Sequence, residues 1–200
     1  MMTMQLFYSP GSPFARKVRV LARERGLLDV LQETALSPHD DAPELLAANP
    51  LGKVPALRTR DTTLFDSPLI CEYLDMLGGS PRLVPPDGPA RIAALRAQAL
   101  GDGLMDAAVA SVLELRRPEA MQSTHWLRRW RAVIERGVTT LAHEAPPSGF
   151  GIGAISIVCA LAYLDFRFPD IAWRAGQPSL AAWLDDVSAR ESMAATRPTA

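Results

Sequence analysis

The pattern of apolar and polar positions changes character partway along the chain. In its first part, short apolar runs alternate with helix-period stripes. Met4–Tyr8 is an apolar-aromatic run of strand length. Ser9-Pro10-Gly11-Ser12-Pro13 then makes a turn that ends in a helix start, with Ser12 at the N-cap and Pro13 at the first helical position. Phe14, Val18, Leu21 and Ala22 repeat at helical spacing, and Gly26 supplies the stop. Residues 30–36 predict a second strand, and residues 41–48 a short helix closed by Asn49-Pro50. Residues 54–59 and 63–65 predict a hairpin turning at Arg60-Asp61-Thr62. Ser67-Pro68 repeats the cap-and-proline signature ahead of a helix that buries Leu69, Ile70, Tyr73, Leu74 and Leu77. The predicted order is β-α-β-α-β-β-α.

Residues 81–89 are a Pro- and Gly-rich linker without periodicity, and strand signals end there. Residues 90–116 form a long amphipathic helix broken by Pro118, and residues 119–143 predict another. Residues 155–166 are apolar nearly all round, as a central buried helix requires, and residues 179–189 predict a last helix. The expected domains are therefore an α/β unit over residues 1–80, the linker 81–89, and an all-helical unit over residues 90–200.

Charge narrows the partners. Lys and Arg number 21 and Asp and Glu 22, giving a net charge of -1 with no basic arm or stripe, so nucleic acid is not an expected partner. The apolar stretch 152–164 is too short for a bilayer span, which takes about 20 residues, so no membrane association is expected. The opening MMTMQLFYSPGS has no charged segment followed by a long apolar one, so a leader is not expected. Cys71 and Cys159 each sit in an apolar helical pattern, which predicts reduced core thiols and a cytoplasmic setting. The sequence carries no metal-ligand spacing.

Three segments carry candidate chemistry. A hydroxyl at the start of a helix, as at Ser12, sits among unpaired N–H groups and the positive end of the helix dipole, where an anion such as a thiolate is stabilised; the same residue is equally a plain helix cap. In Asn49-Pro50-Leu51-Gly52-Lys53-Val54-Pro55, a cis Val54–Pro55 bond would turn the Val54 backbone outward for pairing with an extended peptide, whereas a trans bond would make Pro55 an ordinary strand-initiating residue. In Asp66-Ser67-Pro68, a carboxylate and a hydroxyl flank a second helix N-terminus, suited to the carboxylate and ammonium of an α-amino acid, or again to capping.

Taken in order, SPFARKVR, NPLGKVPAL, FDSPLICEYL and the closing RESMAATRP resemble the glutathione transferase superfamily, in particular bacterial serine-type members close to the theta and zeta classes. The resemblance implies a thioredoxin-like domain followed by an all-α domain, with glutathione as co-substrate and no metal. It implies that Ser12 donates to the glutathione sulfur, with Tyr8 and Ser9 as alternatives. Val54, held by cis Pro55, pairs with the cysteinyl residue; Asp66 and Ser67 hold the γ-glutamyl end; and Lys53 meets the glycyl carboxylate. Phe14, Asp102, Met105 and Asp106 are the implied wall of the electrophile site. The implied activity is detoxifying conjugation of a small electrophile, or peroxide reduction, by a homodimer. The alternative is a glutathione-binding regulatory or carrier protein related to stringent starvation protein A.

One departure stands out. Relatives begin the central buried helix with a Ser or Thr cap and an Asp three residues later, positions that fall on Gly151 and Ala154. Restoring both is expected to stabilise the protein, provided that Ala154 has room.

Overall fold

The computed structural model describes residues 3–144 and 146–199. The elements are β1 (Met4–Tyr8), α1 (Pro13–Glu24), β2 (Leu31–Ala35), α2 (Pro43–Ala48), β3 (Ala56–Arg58), β4 (Thr63–Leu64), α3 (Ser67–Leu77), α4 (Gly88–Leu115), α5 (Thr124–Glu144), α6 (Ile152–Arg167), α7 (Trp173–Gly176), α8 (Pro178–Ser188) and α9 (Glu191–Ala194). They form two compact units. The first runs through Arg91 and regains the chain at Glu191; the second is Ile92–Arg190.

The first unit is a four-stranded mixed sheet in the order β2-β1-β3-β4, packed with helices. β1 lies parallel to β2 and antiparallel to β3, which is antiparallel to β4. This is the thioredoxin-like arrangement that the β-α-β-α-β-β-α order predicts. Leu6, Phe7, Ala56 and Leu57 supply the buried faces of the two central strands, and Val18, Leu21, Ile70 and Leu74 those of α1 and α3.

Asp75, on α3 and wholly buried, fixes the chain leaving this helix. Its carboxylate accepts the Leu83 and Val84 N–H groups at 2.9 and 3.0 Å and pairs with Arg82 and Arg25 at 3.1 and 3.2 Å. Arg25 also donates to the Pro81 carbonyl at 2.6 Å and to that of Gly79. Three hydrogen-bond donors and the charge of Arg25 compensate the desolvated carboxylate, so the segment after α3 is pinned and not slack.

The second unit is wholly helical. α6 is its centre, buried at nearly every position from Ile152 to Leu164. Gly101 of α4 lets the two backbones touch: a Cβ there would lie 2.7 Å from the Ser156 carbonyl carbon. Beside it the Ser156 hydroxyl donates to Asp102 Oδ1 at 2.6 Å.

Four expectations need correction. The cap of α3 is Asp66, with Ser67 already helical, and α3 buries Ile70 and Leu74 but leaves Leu69 and Leu77 about half exposed. Residues 119–143 do not form one helix: a 3-10 turn covers Glu119–Met121, and α5 starts at Thr124 with the Ser123 hydroxyl accepting the Trp126 N–H at 3.4 Å. The buried helix starts earlier than residue 155, because Ile152, Gly153 and Ala154 are themselves packed.

That packing also settles the cap question. Gly151 is the cap of α6 and no side chain satisfies the first N–H groups, but Ala154 is only 1% exposed. A carboxylate placed there would lose its water. Gly151→Thr alone should raise stability by about a few tenths of a kcal/mol, since its backbone is already extended and its hydroxyl gains an N–H. Ala154→Asp should lower it by about 1–3 kcal/mol, and the double variant should melt below wild type in urea. A double variant melting above wild type would show that the carboxylate finds its partners.

Candidate functional site

Ser12 has extended backbone (φ -83°, ψ 120°) ahead of α1, and its Oγ accepts the Ala15 N–H at 3.2 Å. A hydroxyl carries one hydrogen, so accepting from Ala15 leaves that hydrogen to donate outward. Pro13 has no N–H, and the backbone turn is closed by the Ser12 N–H donating to the Ser9 carbonyl at 3.0 Å. The hydroxyl therefore stands at the positive end of a 12-residue helix.

Tyr8 and Ser9 are differently placed. The Tyr8 ring lies under the Arg19 guanidinium, 4.2 Å from centroid to Cζ, and Arg19 is itself held by Glu33 of β2 at 2.9 Å. Ser9 uses its carbonyl to close the turn. Of the three, Ser12 is the one capping a helix.

The second segment is shaped by a residue that reads from the sequence only as a helix stop. Asn49 is 1% exposed; its Oδ1 accepts the Leu51 N–H at 3.0 Å and its Nδ2 donates to the Lys53 carbonyl at 2.8 Å. The signal was its position before Pro50 at a helix end, where Asn side chains replace backbone partners. Gly52 takes φ +63°, the left-handed region where a side chain is strained. Lys53 is exposed, Pro55 is buried, and the Val54–Pro55 peptide is cis. Val54 lies just outside β3, and among the described residues no hydrogen bond uses its N–H or carbonyl.

The third segment begins α3. Asp66 is the cap residue by backbone, its carbonyl accepting the Ile70 N–H at 3.1 Å, yet its exposed carboxylate makes no capping bond. Ser67 is the first helical residue and 2% exposed. The acid is thus left free of the capping role that a bare sequence reading allows it.

Register brings the three together. Phe7 pairs with Ala56, and Leu57 with Leu64. One step further along, β1 delivers Tyr8 and the Ser9–Ser12 turn, the chain entering β3 delivers Val54 and Pro55, and β4 delivers Asp66 and Ser67, all at the same end of the sheet.

α1 is anchored from the far end of the chain. Arg16, 5% exposed, donates to the Met193 carbonyl at 3.1 Å and the Thr196 hydroxyl at 3.5 Å, and the Ser192 hydroxyl donates to Glu24 at 2.5 Å. The RESMAATRP ending thereby packs on the helix that carries Ser12.

Of the implied electrophile wall, Phe14 is half-buried in the first turn of α1. In the helical unit Met105 is fully buried, Asp102 is half-buried against Ser156, and Asp106 is exposed. Among the described residues, no group of His, Cys, Asp and Glu gathers as a metal ion would need, and no helix is long and apolar enough to cross a membrane. Cys71 and Cys159 are buried and form no disulfide.

A thioredoxin-like unit followed by an all-helical one, with a helix-capping serine beside a cis-proline loop, defines the class of glutathione transferase folds. Comparison with known proteins agrees. The N-terminal glutathione S-transferase domain model matches residues 11–77 and the C-terminal one residues 124–186. The chain is 35% identical over 202 aligned residues to the uncharacterized GST-like protein YibF of Escherichia coli K12, covering 98% of each. It superposes with a TM-score of 0.95 on a glutathione transferase family member from Pseudomonas fluorescens Pf-5 with bound glutathione, at 43% identity over 99% of this chain and 100% of that one. That family member is also known with bound S-(propanoic acid)-glutathione, matching with a TM-score of 0.89 at 44% identity over 98% of this chain and 100% of that one. A stringent starvation protein A homologue of Haemophilus ducreyi is 33% identical over 82 residues, 41% of this chain and 37% of that protein. The chain belongs to the cytosolic glutathione transferase superfamily.

The Glu33 clasp beside Tyr8 gives a pH test. Burial alone would raise the carboxyl's pKa, but hydrogen bonds from Arg23 and Arg19 outweigh it, and the net shift is downward from 4.5. A depressed pKa contributes stability above the unfolded value, and that contribution disappears as pH falls through the folded value. Glu33→Gln should cost about 1–3 kcal/mol at neutral pH, with the difference from wild type shrinking as pH drops below 4.5 in urea melts. A difference independent of pH would mean that the carboxylate's charge is not what holds α1 to β2.

Proposed function

We propose that this protein binds glutathione at the sheet end formed by Ser12, Val54, Asp66 and Ser67 and activates its thiol for attack on a small electrophile or a peroxide. The observation that carries the reading is the convergence set by register: an outward-donating hydroxyl at one helix start, an unpaired strand-edge backbone at Val54, and an unused carboxylate at a second helix start. These match the thiol, the peptide backbone and the α-amino acid end of γ-glutamyl-cysteinyl-glycine in kind. The glutathione bound to the Pseudomonas relative supports the same ligand.

In this reading Ser67 and the first N–H groups of α3 receive the γ-glutamyl carboxylate, and Asp66 receives its ammonium. Val54 pairs through its N–H and carbonyl with the cysteinyl residue, as an added strand would, beside Pro55. Lys53, exposed on its loop, meets the glycyl carboxylate. The Ser12 hydroxyl donates to sulfur and, with the dipole of α1, favours the thiolate over the thiol; the proton leaves to solvent. The thiolate then forms the S–C bond as the leaving group departs with its electron pair, or attacks a peroxide oxygen as the O–O bond breaks. The S-(propanoic acid)-glutathione of the relative is a thioether of this kind. The setting is assigned to the cytoplasm.

Ser12→Ala should lower kcat/KM about 10²–10³-fold, while leaving glutathione affinity within a few-fold. Asp66→Asn and Ser67→Ala should weaken glutathione binding by calorimetry about tenfold each, which is 1.4 kcal/mol. Full activity in Ser12→Ala with loss in Tyr8→Phe or Ser9→Ala would move the role along the turn. Tight glutathione binding with no turnover across electrophiles and peroxides would instead favour the regulatory reading shared with stringent starvation protein A homologues.

A homodimer belongs to the same proposal. α3 leaves Leu69, Met76 and Leu77 about half exposed, and the start of α4 leaves Ile92 68% exposed, more apolar surface than a lone helix face retains. Light scattering at micromolar concentration should give the mass of two chains, and Leu69→Glu should halve it. A monomer mass for wild type would remove the dimer from the proposal.

A further inference from the structure

The helical unit contains a cavity of about 390 Å³ bounded by the C-terminal turns of α4, one face of α5 and the segment that follows α6. None of its lining residues belongs to the first unit. The volume falls within the range of small-molecule sites, about 300–1,000 Å³. Its floor is apolar and deep: Ile134, Phe168 and Ile171 are 1, 7 and 8% exposed, and Leu115 and Leu127 extend the wall outward.

The polar groups at its edge are not equivalent. Arg131 is committed to both nearby acids, donating to Glu135 at 3.0 Å and to Asp170 at 2.5 Å. The Ser111 hydroxyl is spent on the Ala107 carbonyl of its own helix at 2.8 Å. Arg128 differs: its Nε donates to the Thr124 carbonyl at 3.3 Å, and among the described residues its two terminal nitrogens meet no acceptor. An apolar chamber whose two acids are both paired with Arg131 thus keeps one uncommitted guanidinium, Arg128, at its rim. A planar guanidinium fork matches a carboxylate, two N–H groups to two oxygens. The walls require that the remainder of the molecule be apolar, since nothing inside them would replace its water.

We propose that this cavity is a binding site for a small apolar carboxylate, such as an aryl carboxylic acid, with the ring system against Ile134, Phe168 and Ile171 and the carboxylate on Arg128. The site is separate from the glutathione-binding residues and is filled or emptied without them.

The test is calorimetric titration of the full-length protein with naphthalene-2-carboxylate, with and without saturating glutathione. One molecule binds per chain, with the same affinity in both conditions. Arg128→Ala weakens the carboxylate about tenfold, the loss of one charge-assisted pairing, and leaves naphthalen-2-ylmethanol unchanged; Arg128→Lys recovers part of it. Ala132→Phe, which fills the chamber, removes binding of both compounds. Arg128 is exposed, so its variants fold even where Ala132→Phe does not. No binding up to millimolar carboxylate, an affinity indifferent to Arg128, or one-for-one displacement by glutathione would each overturn the proposal.

Discussion

The arrangement of the site depends on the antiparallel register of β1, β3 and β4. The paired residues are few: three between β1 and β3, and two between β3 and β4. Side chains alternate across a sheet, so a slip of one residue would send Leu57 and Ala56 to the opposite face and part Val54 from the Ser12 turn. Two features oppose such a slip. Phe7, Leu45, Ala48 and Ala56 pack as one buried cluster against a single face. At the other end of the hairpin the Thr59 hydroxyl accepts the Asp61 and Thr62 N–H groups while the Thr59 N–H donates to the Thr62 carbonyl at 2.8 Å. A short hairpin with a specific turn, and with different apolar partners on each of its two covered faces, is held to this pairing, and the site residues inherit their places from it.

The register sets where the segments end, but α1 must be held against the sheet for Ser12 to stay aimed. Its buried charges do much of this. Arg16 and Lys17 are 5 and 0% exposed, unusual for such residues, which are almost never so buried unless paired. Arg16 reaches Met193 and Thr196, while Arg19 and Arg23 grip Glu33 on the exposed side. The helix is thus clasped on two faces by interactions that fail if it rotates by even part of a turn. A hydrogen-bond donor serves a developing thiolate only when it is already oriented, because reorientation during the reaction would consume the benefit. The long-range clasp from the C-terminal segment explains how a hydroxyl on the first turn of a helix becomes a fixed feature.

This division also explains what the sequence disclosed. The start of α1 was legible because cap and proline are local signals, and the helix begins at Pro13 after the Ser12 cap; the same signal placed the cap of α3 at Ser67, one residue late, because Asp66 is the cap and Ser67 is already helical. The strand and helix order was legible from period alone. The burial of Arg16 was not, since a run of Arg and Lys on a helix ordinarily reads as a solvated face and the partners lie 177 and 180 residues away. The start of α5 was missed because Ser123 was read as part of a continuous pattern, whereas Glu114 of α4 accepts its N–H at 2.6 Å and ends that continuity. α7 and α9, four residues each, are too short for any periodicity to show. For the candidate site, motif order pointed to Ser12, Val54, Asp66 and Ser67, which the register gathers at one end of the sheet, but Asn49 carried no mark beyond a neighbouring proline.

The two units solve the problem of buried polarity in opposite ways, and the difference bears on where variation is tolerated. In the first unit the interior charges Arg16 and Asp75 are bound through several directed contacts each, so their neighbours are fixed in identity. In the helical unit α6 is buried through small and aliphatic residues, with Gly101 and Gly153 replacing side chains at close approaches and the first N–H groups left without a side-chain cap. Such an interior depends on volume more than on partners, and volume-conserving exchanges in a core are tolerated better than loss of one member of a buried pair. The surface of the helical unit is accordingly free to change, while the scaffold of the first unit is constrained residue by residue. One unit is thus held by partners and the other by volume, and only the second leaves its surface chemistry open to change.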